Sequence, residues 1–305
     1  MNTFIKMTQI TSLALCITFT SCKEVATETK DLDTATTEVV TLRVVTPQPS
    51  PLSTLEQKVG LTDVTVEYSR PSIKGRTIFG DLVPFGEIWR TGANANTKVT
   101  FSSDVTVEDQ ALKAGSYALY TIPNKDSWEV IFYTDSNNSG TPRAWDDSKV
   151  AAKAVIKTEA MPMSIETFTI TVDDITINSA IIGLLWEETY VGIQFETPTD
   201  AMVLANIDKV LAASPKAADY YNAAVYYSQN NKDINKAGAW MDTAMSMIEK
   251  PGFWQLRQQS LIYAKMGDTE KAIATAKASL KGAMEANNTA YIKMNTESLK
   301  EWAAK

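Results

Sequence analysis

Between Tyr68 and Asn94 the chain reads YSRPSIKGRTIFGDLVPFGEIWRTGAN, and the chemistry these residues offer is recognition of an anion or a polyol. Arg70, Arg76 and Arg90 can each present a planar fork of donors to a carboxylate or phosphate. Lys74 adds a compact charge, Asn94 a neutral donor and acceptor, and Trp89 a stacking face. Gly75, Gly80, Gly86 and Gly92, with Pro71 and Pro84, impose tight turns and special backbone angles. The segment is therefore a built loop. Two arrangements of it are open. In one, Arg70, Lys74, Arg76, Trp89, Arg90 and Asn94 converge on a ligand. In the other, Phe79, Phe85 and Trp89 plug a core while the arginines pair with local acids such as Glu67, Asp81 and Glu87.

The rest of the chain offers little reactive chemistry. It has no histidine, which excludes Ser-His-Asp triads, histidine metal sites and histidine acid-base catalysis. No P-loop, dinucleotide-binding GxGxxG or GxSxG motif occurs. What remains to an enzyme is a carboxylate pair, with Asp81, Glu87 and Asp104 available. Two functional classes follow: a non-catalytic binder of a polar or anionic ligand, and, as the alternative, a histidine-free, carboxylate-dependent hydrolase of envelope or extracellular glycans. Neither assigns a catalytic residue, a metal or a cofactor. Asp135, Asn137, Ser139 and Gly140 open like a calcium loop with Asp146 at its twelfth position. Pro142 interrupts that loop and an aspartate replaces the closing glutamate, so it reads as a strand-to-strand turn. A net charge of −7 argues against nucleic acid.

The elements that must position these residues are legible in the patterning. Residues 1–21 carry a short apolar run, Ile10 to Phe19, that reads as a secretory signal. Phe19-Thr20-Ser21-Cys22 resembles a bacterial lipobox, which would make Cys22 a lipid attachment point and the chain an outer-membrane lipoprotein of the cell envelope; the alternative is an ordinary cleaved signal peptide that leaves Cys22 free. Residues 22–50, rich in Thr, Glu, Asp and Val without an aromatic residue, read as a disordered tether. From 51 to 198, alternating or short apolar runs such as Val64-Val66-Tyr68, Val99-Phe101, Phe168-Ile170-Val172 and Val191-Ile193-Phe195 predict an all-β antiparallel sandwich. Tyr117 to Ile122 and Trp128 to Tyr133 are apolar on both faces and read as central strands. From 199 to 305 the period becomes helical. Helices are predicted at 215–229, 234–248, 253–266 and 269–286, with a last one ending near Trp302. Ala237 and Ala272, 35 positions apart, suggest tetratricopeptide-like hairpins, whose period is about 34 residues, and a docking site for a protein partner. The fold class is α+β multidomain.

The block also carries a resemblance. Tyr68-Ser69-Arg70-Pro71, Gly75-Arg76, Ile78-Phe79-Gly80, Leu82 to Gly86 and Trp89 to Asn94, followed by Asp104 to Val107, Leu112 to Pro123 and Trp128 to Phe132, are similar to the bacterial domain-of-unknown-function family 2911. The resemblance spans roughly 48–197. It implies a secreted or lipid-anchored β-rich domain, often followed by helical repeats, and no established activity. One departure stands out: where that family carries a Trp-Gly pair after the strand around Trp128, this chain has a polar run from Ser136 to Arg143, with Trp145 before Asp146.

Overall fold

A computed structural model describes residues 44–304. The signal segment, Cys22 and the tether up to residue 43 lie outside the described residues. Period-2 alternation sets the first half. Strands β1 (Leu52–Val59), β2 (Thr62–Ser69), β3 (Lys98–Phe101), β6 (Gly115–Pro123), β7 (Ser127–Tyr133) and β8 (Val150–Lys157) form one antiparallel sheet, in the order β1-β2-β3-β6-β7-β8. Strands β4 (Val105–Val107), β5 (Gln110–Leu112), β9 (Glu159–Asp173) and β10 (Ser179–Glu196) form the second, ordered β5-β4-β10-β9. In β2, Val64, Val66 and Tyr68 are buried while Asp63 is exposed and Glu67 half-buried, so one face of the strand enters the core. There they join Phe101, Leu119 and Phe132 of the same sheet and Phe168, Ile182 and Ile193 of the other. Each such side chain contributes about 1.5–3 kcal/mol on full burial, the term that holds a domain built without disulfides.

β6 and β7 lie inside the larger sheet and are apolar on both faces, as their sequence predicts. The outward face has its own small core, Ala118, Tyr120, Ile131 and Tyr133, flanked by Ile88, Ile122, Trp145 and Val150. The chain that covers this face comes from the Tyr68–Asn94 block and from the loop after β7. The short strands β4 and β5 and the edge strands β1 and β8 carry weaker patterns, which is why sequence suggests about eight strands where the described residues hold ten.

Six helices follow: α1 (Thr199–Leu211), α2 (Ala217–Gln229), α3 (Ile234–Ser246), α4 (Phe253–Met266), α5 (Thr269–Glu285) and α6 (Thr289–Ala303). Aspartates cap α3 and α5: Asp233 accepts from the Asn235 and Lys236 amides, Asp268 from that of Lys271. Ala237 in α3 and Ala272 in α5 are fully buried, as are Ala244 and Ser279 at the same offset. Small residues at these points let consecutive helices approach closely. The equivalence extends to side chains, since Lys236 sits 5.4 Å over the Tyr227 ring and Lys271 5.4 Å over Tyr263.

The helices meet the sandwich at a glycine. Gly60, in the β1–β2 turn, has φ +58°, and a Cβ there would collide with the Thr199 hydroxyl and the Ile177 carbonyl oxygen. Gly75 has a similar φ of +70° but no neighbouring atom within 4 Å of such a Cβ. Gly60→Ala is expected to lose the roughly 1–2 kcal/mol of a left-handed backbone plus about 1–3 kcal/mol of overpacking, whereas Gly75→Ala loses only the first. Urea midpoints of the two variants check this, and equal losses would rule out a tight junction.

Candidate functional site

The Tyr68–Asn94 block is organised by β6. β3 pairs with β6 through Lys98, opposite Ala118; beyond that point the Leu119 amide donates to the Thr97 carbonyl at 2.8 Å. Trp89 and Thr121 then exchange both backbone hydrogen bonds, at 2.7 and 2.9 Å, and the Gly86 amide donates to Pro123 at 2.9 Å. The block is thus a strand line interrupted by turns. Alternation across it sends Trp89 into the main core and Ile88 to the outward cluster. Just after Trp89, Thr91 is fully buried at φ +56°, a strained angle for a β-branched residue and of the kind found at functional sites. Its hydroxyl lies 3.1 Å from that of Thr121, and the Trp89 indole N–H donates to Gly92 at 3.1 Å.

Two carboxylates from the other sheet fasten the block. Glu187 sits in an irregularity of the β9–β10 ladder at φ +50° and accepts from the Ile78 amide at 2.8 Å and the Phe79 amide at 3.3 Å. Glu166 accepts from the Lys74 amide at 2.9 Å through its carboxylate and from the Ile73 amide at 2.8 Å through its backbone. Backbone donors of an irregular loop are thereby satisfied. Arg70 belongs to the same scaffold, its Nε donating to Phe168 at 3.0 Å and its terminal nitrogen to the Thr169 hydroxyl at 2.7 Å.

Between these fastenings lies a cleft of about 410 Å³, with Arg76, Glu87, Trp89, Arg90, Thr141 and Trp186 in its lining. Arg90 has its Nε buried without any hydrogen-bond partner, and it makes no ion pair among the described residues. A Cβ at Gly140 would stand 3.3 Å from its terminal nitrogen, so the glycine leaves room for the guanidinium. Arg76 is exposed and bonds the Ile73 and Ser72 carbonyls at 2.9 and 2.6 Å. Trp89 is mainly core: it stacks on Trp186 at 5.8 Å and meets Trp128 and Phe168 edge-on. Of the six residues singled out in the sequence, the structure brings Arg76, Trp89 and Arg90 into one cleft. Arg70 is turned to β9, Lys74 is exposed outside the lining, and the Asn94 side chain donates to Ser50 at 3.0 Å.

The arginines do not pair with Glu67, Asp81 or Glu87; Glu67 is taken by Lys98 at 2.6 Å. In the calcium-like loop, Asp146 caps a short 3-10 helix by accepting from Ser148, Asp135 lies 3.4 Å from Lys149, and Ser139 pairs with Ala95. Sequence reasoning misses Trp186, Thr141 and Glu187. Trp186 ends an apolar run that breaks alternation, a usable signal. A glutamate in a strand bulge gives none.

Glu187→Ala leaves two loop amides without an acceptor and is expected to lose about 1.5–3 kcal/mol, as for hydrogen bonds to a charged group. Hydrogen exchange should accelerate at Ile78 and Phe79 first, while Glu187→Gln, which keeps one acceptor, loses about half. Uniform acceleration across the sandwich would show that Glu187 is not a local clamp.

Comparison with known proteins adds one finding. No curated protein and no solved structure gives a significant match. Residues 50–195, which hold the cleft and the whole Tyr68–Asn94 block, match the model of the family described as Protein of unknown function (DUF2911), and it is to this family that the β-region is similar.

Proposed function

We propose that the chain is a lipid-anchored protein of the bacterial envelope, held through Cys22, whose sandwich binds a polar or anionic ligand without transforming it. The observation that carries the binding reading is Arg90, a guanidinium with a buried, unpartnered Nε in the lining of an open cleft. A buried donor left unmade costs about 1–3 kcal/mol or more when charged, so the protein itself does not neutralise this guanidinium, and its terminal nitrogens, which take no acceptor among the described residues, are the donors an anion in the cleft would meet. Arg76 places a second positive charge at the same cleft. The hydrolase alternative draws no support here, because acid-pair hydrolysis requires two carboxylates about 5–9.5 Å apart and the lining contains only Glu87. The anchor and the envelope location rest on the lipobox-like Phe19 to Cys22.

For the helical part we propose tetratricopeptide-like hairpins that dock a protein partner. The matched pairs Ala237 and Ala272, Asp233 and Asp268, and the lysine-over-tyrosine contacts at both hairpins support a repeated unit.

A thermal-shift panel of acetate, phosphate, citrate and neutral oligosaccharides tests the cleft. At tenfold excess over Kd a binding anion is expected to raise Tm by about 3–6 °C, and Arg90→Met should abolish the rise. A shift that survives Arg90→Met, or none with any anion, overturns the reading.

A further inference from the structure

A second groove adjoins the first. It measures about 660 Å³ and runs over the outward face of the larger sheet, with Ile88, Ile122, Ile131, Trp145 and Val150 in its lining. An outward sheet face is ordinarily polar, and apolar residues gathered on one mark a contact site. Most of the polar side chains around this groove are already engaged. Glu129 pairs with Lys153 at 2.8 Å, the Trp145 indole N–H donates to Asp147 at 2.9 Å, and the Tyr120 hydroxyl donates to the Gly140 carbonyl at 3.1 Å. The groove therefore offers apolar surface and few hydrogen bonds, which suits an alkyl chain better than a glycan.

Its occupant is indicated by what it abuts. Ile88 and Thr141 line both cavities, so the cleft that holds the Arg90 guanidinium and the apolar trough adjoin. The loop that supplies Thr141 is held by the Ser139–Ala95 pair, by Asn96 donating to Asn138 at 2.5 Å and by the Tyr120–Gly140 bond. Glu87 in the first cleft opposes a second negative charge on the ligand. We propose that the two cavities together bind a single-chain monoanionic amphiphile, its carboxylate on Arg90 and its alkyl tail in the groove beside Ile122, Ile131 and Trp145; this rests on the anion reading of the first cleft.

Calorimetric titration with acetate, hexanoate, octanoate and decanoate, kept below micelle formation, tests it. Affinity should rise about fourfold for each added methylene, as expected for burying it. Ile122→Ser, a neutral change at a partly exposed position, should flatten that series, and Arg90→Met should weaken every member. Arg90-dependent binding of phosphate or acetate with no chain-length dependence would overturn the amphiphile and leave the anion cleft standing. Absence of any Arg90-dependent binding would remove both. Binding to vesicles of anionic phospholipid with none to monomeric decanoate would assign the face to a membrane surface and also overturn the proposal.

Discussion

The backbone pair between Trp89 and Thr121 is the contact on which the rest of the site depends. Both hydrogen bonds of the pair are made, and they fix which residues of a glycine-rich loop face inward. In a strand, neighbours point to opposite faces. Once Trp89 is committed to the core beside Trp186, its neighbours Ile88 and Arg90 must point the other way, and Ile88 joins the outward cluster. A slip of one residue in this pairing would exchange the two sets, burying Ile88 against the main core and withdrawing the largest side chain of the block from it. The aromatic contacts of Trp89 with Trp186, Trp128, Phe168 and Phe79 resist that slip.

Fixing one residue does not fix a loop of this length. The distant part, around Ile78, is held by the second sheet through charge-assisted bonds that its backbone amides donate to Glu187 and Glu166. The same loop therefore couples the two sheets at the cleft, where Trp89 from one and Trp186 from the other stack. Arg70 contributes in the same sense by gripping β9. Its role explains why a cation-rich block need not be a cation-rich site: one arginine holds the frame, one is satisfied locally by carbonyls, and one is left over.

Much of this is legible in the amino-acid sequence. The inward faces of β2, β3, β9 and β10 follow from alternation at Val64, Val99, Phe168 and Val191, and the helices from Ile234, Phe253 and Thr269 onward follow from their period and caps. The both-face apolar character of β6 and β7 was also readable, although not its cause, because the cover of Tyr120 and Ile131 comes from segments distant in sequence. The division of labour among Arg70, Arg76 and Arg90 was not legible. Residue type states that a guanidinium can bind an anion, whereas its actual partner depends on which carbonyls and hydroxyls the register of β9 delivers. Glu187 was hidden for the same reason, since only the irregularity of the β9–β10 ladder turns it toward Ile78.

What distinguishes Arg90 is the company of strained and absent groups around it. Thr91 holds a left-handed angle that a β-branched side chain disfavours by about 1–3 kcal/mol, and Gly140 leaves open the space beside the guanidinium. Gly140 itself has φ +74°, a backbone angle that accounts for a glycine whatever stands beside it. Strain at Thr91 and an unmade bond at the Arg90 Nε are each unfavourable for the isolated chain, and neither is relieved by a neighbouring side chain among the described residues.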